Sequence, residues 1–144
     1  MQHIRRKSLP EVFEIVRMAE TKEEKVRILR AYQSRDMKYV VNGLYNVDWS
    51  DLPMPDLEEL DNNSRSELAY SNINKSLPRI EKAFVIRYDN PEKSRRLIEM
   101  VLREVSADEA DLLIRMFKNK KVQGITKVVF KEAYPNFFRL EDQS

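Results

Sequence analysis

Apolar residues recur along this chain at intervals of three and four. Leu9, Val12, Phe13 and Val16 form one such stripe, and Met37, Val40, Val41 and Leu44 form another. Leu97, Ile98, Val101, Leu102 and Val105 make a third; Ala110, Leu113, Ile114 and Phe117 make a fourth. That spacing gathers each set on one face of an α-helix, where it can be buried against a neighbour. The helix starts are marked too. Ser8-x-x-Glu11, Thr21-x-x-Glu24 and Ser106-x-x-Glu109 fit the capping box, in which a hydroxyl and a carboxylate satisfy amides that lack helical partners. Asn90 followed by Pro91 is an N-cap with proline at the first helical position, and Ser76-Leu77-Pro78 begins a further segment. Residues 128–134 read as a last short helix stopped by Pro135, and only residues 84–88 could be extended. The pattern predicts an all-α protein, a compact single-domain bundle of about six to seven helices.

One stretch breaks the periodicity. Between residues 48 and 75, Pro53, Pro55, Asn62, Asn63, Ser64, Ser71, Asn72 and Asn74 interrupt every apolar stripe. The region reads as a long connection between N-terminal helices in 1–47 and C-terminal helices in 76–138, and a connection that long either moves or carries function. It is also acidic. From Tyr39 to Ser64 there are six acids, Asp48, Asp51, Asp56, Glu58, Glu59 and Asp61, and no base. Trp49, Leu52, Met54 and Leu57 are apolar enough to cover the core, which is the preferred reading, or to meet a protein partner.

Composition narrows the chemistry. Of 144 residues, 42% are hydrophobic and 35% charged, enough apolar material for one core under a heavily charged surface. No apolar run approaches the roughly 18 to 20 residues of a membrane span. The opening MQHIRRKSLP is basic but has no apolar segment of the secretory type, so a cytoplasmic protein is expected. There is no cysteine, and His3 is the single histidine, so neither a thiolate nor an imidazole metal site is expected. No lysine or carboxylate lies beside a histidine or cysteine or in a glycine-rich phosphate loop. No enzymatic activity, metal, cofactor or small-molecule substrate is expected.

The net charge of +2 says little about partners, but its distribution says more. Between Leu112 and Lys131 lie six bases, Arg115, Lys118, Lys120, Lys121, Lys127 and Lys131, and no acid. Within that block Gly124 precedes a helix start. A glycine lets backbone approach a phosphate, and the amides of a following helix can donate to it. Lysines around such a turn suit recognition of a nucleic-acid backbone. A solvated basic face is the plainer alternative.

The block from Ser106 to Phe138 resembles the end of the N-terminal helical DNA-binding domain of ATP-dependent DNA ligases of the T-even phage type. An acid-rich helix start leads into Leu112-Leu113-Ile114-Arg115, then a short basic loop, Gly124, and a helix closing on Tyr134-Pro135. Residues 9–29 are similar to the first helical hairpin of that domain, and residues 37–45 to its third helix. In size the chain also resembles small stand-alone proteins of T-even-like phages. The chain departs from ligases where joining chemistry is done, because neither Gly43 nor Gly124 follows a Lys-x-Asp run. The resemblance implies the DNA-holding part without the joining part. Its partner would be duplex DNA, nicked or intact, in the host cytoplasm if the chain is phage-encoded. Carried over by position, the contacts would be Gly124 and Thr126; the amides from Ile125 to Lys127 and the Thr126 hydroxyl would donate to phosphate, and Lys118, Lys120, Lys121 and Lys127 would supply charge. The lysine-rich loop 119–123 departs from the ligase pattern. The alternative is a module docking on a phage or host replication or transcription protein through Trp49, Leu52, Met54 and Leu57.

Overall fold

The computed structural model of the chain describes residues 7–58 and 71–138. Among them are seven α-helices and no strand: α1 (Leu9–Met18), α2 (Lys22–Ala31), α3 (Arg35–Asn46), α4 (Ile73–Val85), α5 (Pro91–Glu104), α6 (Ala107–Phe117) and α7 (Lys127–Ala133). A 3-10 turn, Pro135–Phe138, follows α7. The all-α expectation holds. No helix among the described residues is long and apolar enough to cross a membrane.

Each predicted stripe is buried. Phe13, Leu29, Met37, Ile80, Ile98, Leu102, Leu113 and Phe130 all lie at 2% exposure or less, in one contiguous cluster to which every helix contributes. Helix α3 packs on α4 and α6, α4 on α5, and α1 on α2 and α6. The short α7 lies along α2, where Lys22 pairs with Glu132 at 2.7 Å and Arg30 donates to the Glu132 carbonyl at 2.8 Å. Phe13 meets Phe130 edge-on at 5.9 Å, joining α1 to α7 through the core.

The predicted caps are in place. Ser8 and Glu11 form the full reciprocal box; Thr21 and Ser106 accept from the amides of Glu24 and Glu109, and Asn90 accepts from Lys93 ahead of Pro91. The N-caps Ser8, Asn72 and Ser106 and the first-turn Asp36 line one cleft of about 380 Å3. Positive ends of α1, α3, α4 and α6 thus meet there, and the carboxylates of Glu11, Asp36, Asp108 and Glu109 offset them.

Three boundaries and one short segment differ from the sequence reading. Helix α4 starts at Ile73, not near Ser76, because Asn72 caps it by accepting from the Lys75 amide at 2.9 Å. Pro78 consequently lies inside the helix, where its lack of an N–H removes one backbone bond. Residues 84–88 are not extended: Phe84 and Val85 finish α4, and a turn follows. The last helix begins one residue early, at Lys127, and ends at Ala133, one before Tyr134. Of the acidic connection, residues 59–70 lie outside the described residues. Its first part is a strap across the core, with Trp49 and Leu52 buried and Met54 and Leu57 packed half-buried against the cluster.

A candidate nucleic-acid interface

Helix α6 ends in a sharply structured turn. Lys118 caps it, with its amide donating to the Ile114 and Arg115 carbonyls, and Lys120 donates to Arg115 at 2.9 Å. Asn119 lies between them at φ +53, the left-handed conformation that commonly ends helices. Its side-chain amide reaches the end of α3, donating to the carbonyls of Gly43, Leu44 and Val47 at 3.1, 3.0 and 2.9 Å. The Arg115 guanidinium donates to the Lys121 carbonyl at 2.9 Å, holding the turn from the other side. Val122 and Ile125 point inward, at 5% and 2% exposure. Gly124, between those anchors, takes φ +77 and stays on the surface. The turn is pinned by two apolar side chains and by Asn119, and its lysines are exposed.

The fold adds two cations that the local sequence does not contain. Lys25 of α2 places Nζ 3.1 Å from the Gly124 carbonyl. Arg17 of α1 lies so close that a Cβ on Gly124 would sit 2.7 Å from its Cγ. Arg17 also pairs with Glu14. No local signal marks either residue as a neighbour of Gly124, since both come from the first two helices and meet the turn only through the packing of α1 on α6 and α2 on α7. Asn119 was more legible, as an asparagine just past an apolar stripe, but its partners were not.

The residues proposed from sequence divide into groups. Lys118, Lys120 and Lys121 are exposed on the segment that leads from α6 to Gly124. The Thr126 hydroxyl accepts from the Val129 amide at 3.4 Å as the N-cap of α7, which leaves its own proton to donate. Ile125 is a correction. Its side chain is core and its amide donates to the Val122 carbonyl at 3.4 Å, so it anchors the turn and offers no free N–H. Lys127 is half-buried, with its ammonium 5.7 Å from the centre of the Tyr45 ring, over α3. Trp49 and Leu52 are in the core, in keeping with the covering role.

The basic surface has a boundary. A groove of about 520 Å3 between α1 and α6 is lined by Lys7, Arg17 and Arg115 but also by Glu11, Glu14, Asp108 and Asp111. Polyanion contact is favoured on the turn and opposed within that groove. Among the described residues no group of three or more histidines, cysteines, aspartates or glutamates could hold a metal ion. The chain matches no known family model, no curated protein and no solved structure.

Proposed function

We propose that this protein is a non-catalytic module that holds duplex DNA by its phosphates without reading sequence. On this reading it is a stand-alone counterpart of the DNA-holding part of a phage-type ligase. The observation that carries it is the pinned turn after α6, where Lys118, Lys120 and Lys121 stand exposed and Lys25 of α2 reaches the Gly124 carbonyl. Lysine ammonium groups on flexible stems meet phosphates as point charges and release condensed counterions when they do. The turn beneath them is fixed by Asn119, Val122 and Ile125, so the lysines project from an ordered backbone. The Thr126 hydroxyl supplies one directional donor at the same place. None of these groups is suited to telling one base from another, since each is placed for backbone contact.

Fluorescence anisotropy on intact, nicked and single-stranded DNA over a series of salt concentrations tests this. About four phosphate contacts give a slope of log K against log salt near −3.6 on B-DNA, because each releases about 0.9 counterion. Lys118→Ala, Lys120→Ala and Lys121→Ala should each flatten that slope by about one unit and leave sequence preference unchanged. A parent protein that binds none of the three DNAs at low salt overturns the proposal.

A further inference from the structure

An apolar groove of about 280 Å3 runs between α3 and α4. Tyr39 and Asn42 form one wall, Phe84 and Val85 the other, and Trp49 and Gly43 lie at its base. That base is rigid. Trp49 donates through Nε1 to the Gly43 carbonyl at 2.8 Å, and its ring stands edge-on to Phe84 and Phe117 at 5.3 and 5.2 Å. Gly43 admits the indole: a Cβ there would lie 3.0 Å from Trp49 Cζ2 and 2.5 Å from Met116 Sδ. The lip is left in water, with Val85 72% exposed and nearby Tyr88 65% exposed.

The charge of the groove has one sign. No lysine or arginine lines it, and Glu81 is its one charged member. Burial, and then the Glu81 carboxylate, push the Tyr39 hydroxyl up to about 12. The neighbouring cation, Arg87, lies outside the lining, and Asp48 is close enough to feel its charge. Arg87 stacks on the Phe84 ring at 3.8 Å and the Tyr88 ring at 4.4 Å, and its Nη1 donates to the Phe84 carbonyl at 2.6 Å. Asp51 accepts from the Tyr88 hydroxyl at 2.6 Å, extending the acidic side past the lip.

We propose that this groove docks a segment of a partner protein in which one aromatic or branched apolar side chain stands next to a lysine or arginine. Its volume is below the ~300 Å3 at which drug-sized pockets begin, and it suits a single anchoring side chain. Such an anchor in a rigid aromatic pocket, with a charge at its rim, is how a few residues dominate an interface. Phosphates are disfavoured here by Glu81 and Asp51, so the occupant differs from that of the lysine turn. The inference is independent of the DNA proposal.

The test is an NMR titration of the 15N-labelled full chain with two probes, acetyl-Lys-Trp-Lys-amide and acetyl-Glu-Trp-Glu-amide. The basic peptide should shift the amides of Asn42, Gly43, Phe84 and Val85 saturably, about two- to fivefold tighter than the acidic one. Glu81→Gln, at an exposed position, should keep the shifts and remove that preference. Asn42→Trp, also at an exposed position, should fill the groove and abolish the shifts for both peptides, with an unchanged melting temperature as the control. Shifts spread elsewhere, no saturable shifts, or equal binding of the two peptides in the parent would overturn the proposal. So would duplex DNA that displaces the basic peptide from these amides.

Discussion

At φ +53 the backbone of Asn119 occupies a region that costs most side chains about 1–2 kcal/mol, and asparagine tolerates it better than most. The same residue spends its side-chain amide on the carbonyls of Gly43, Leu44 and Val47 at the end of α3, of which that of Gly43 also accepts from Trp49. Two substitutions separate these roles. Asn119→Gly keeps the backbone conformation and loses the three bonds, so it should destabilise by about 0.5–1.5 kcal/mol for each net bond lost in earnest, with the three sharing two protons. Asn119→Ala adds the strain and should cost about 1 kcal/mol more. Urea unfolding of both variants measures the difference. Parental stability in Asn119→Gly would mean that the α3 carbonyls find water equally well. In the sequence this asparagine lies among lysines and reads as part of a charged loop. Its role depends on carbonyls more than seventy residues away, which no local pattern reveals.

Helix starts were the most legible elements, because a cap is written within four residues of sequence. The exception, α4, is instructive. Its N-cap Asn72 sits in a run of Ser and Asn that resembles a loop, and Pro78 looks like a first-turn proline although the helix begins at Ile73. A residue from another element reinforces that cap. Glu109, 5% exposed, accepts from the Ile73 amide at 3.0 Å while also accepting from the Ser106 hydroxyl at 3.2 Å. One carboxylate thus serves the first turns of both α4 and α6. Hydrogen bonds to a charged acceptor contribute about 1.5–3 kcal/mol, so Glu109→Ala should lose at least that much, and more because the Ile73 amide stays buried. Glu109→Gln retains an acceptor but not the charge that favours two helix N-termini, and should lose about 1 kcal/mol. Amide exchange at Ile73 should accelerate in the alanine variant. If exchange there stays at the parental rate, Asn72 alone sets the start of α4.

Across the whole molecule the apolar pattern was enough to reach an all-helical core, since burial of a stripe needs only its spacing. The candidate site was legible in part. The lysines of the turn and Gly124 are contiguous in sequence, but the cations beside Gly124 arrive from α1 and α2 through packing that periodicity does not encode. Lys25 is therefore the sharpest probe of whether the fold, rather than the loop, makes the surface. Its ammonium is held at the Gly124 carbonyl, so Lys25→Gln should flatten the salt slope of DNA binding by about one unit, as loss of a turn lysine does, and Lys25→Arg should restore it. Gly124→Val should do more. It forces a β-branched residue to φ +77 and drives a Cβ into Arg17, which can yield only by moving its own charge. Binding should fall further than for any single lysine, with a stability loss of about 1–2 kcal/mol from the backbone alone. Thermal melts run beside the titrations keep the two effects apart. A folded Gly124→Val protein with the parental salt slope, together with an unaffected Lys25→Gln, would confine any DNA contact to Lys118, Lys120 and Lys121 and leave the first two helices with a structural role only.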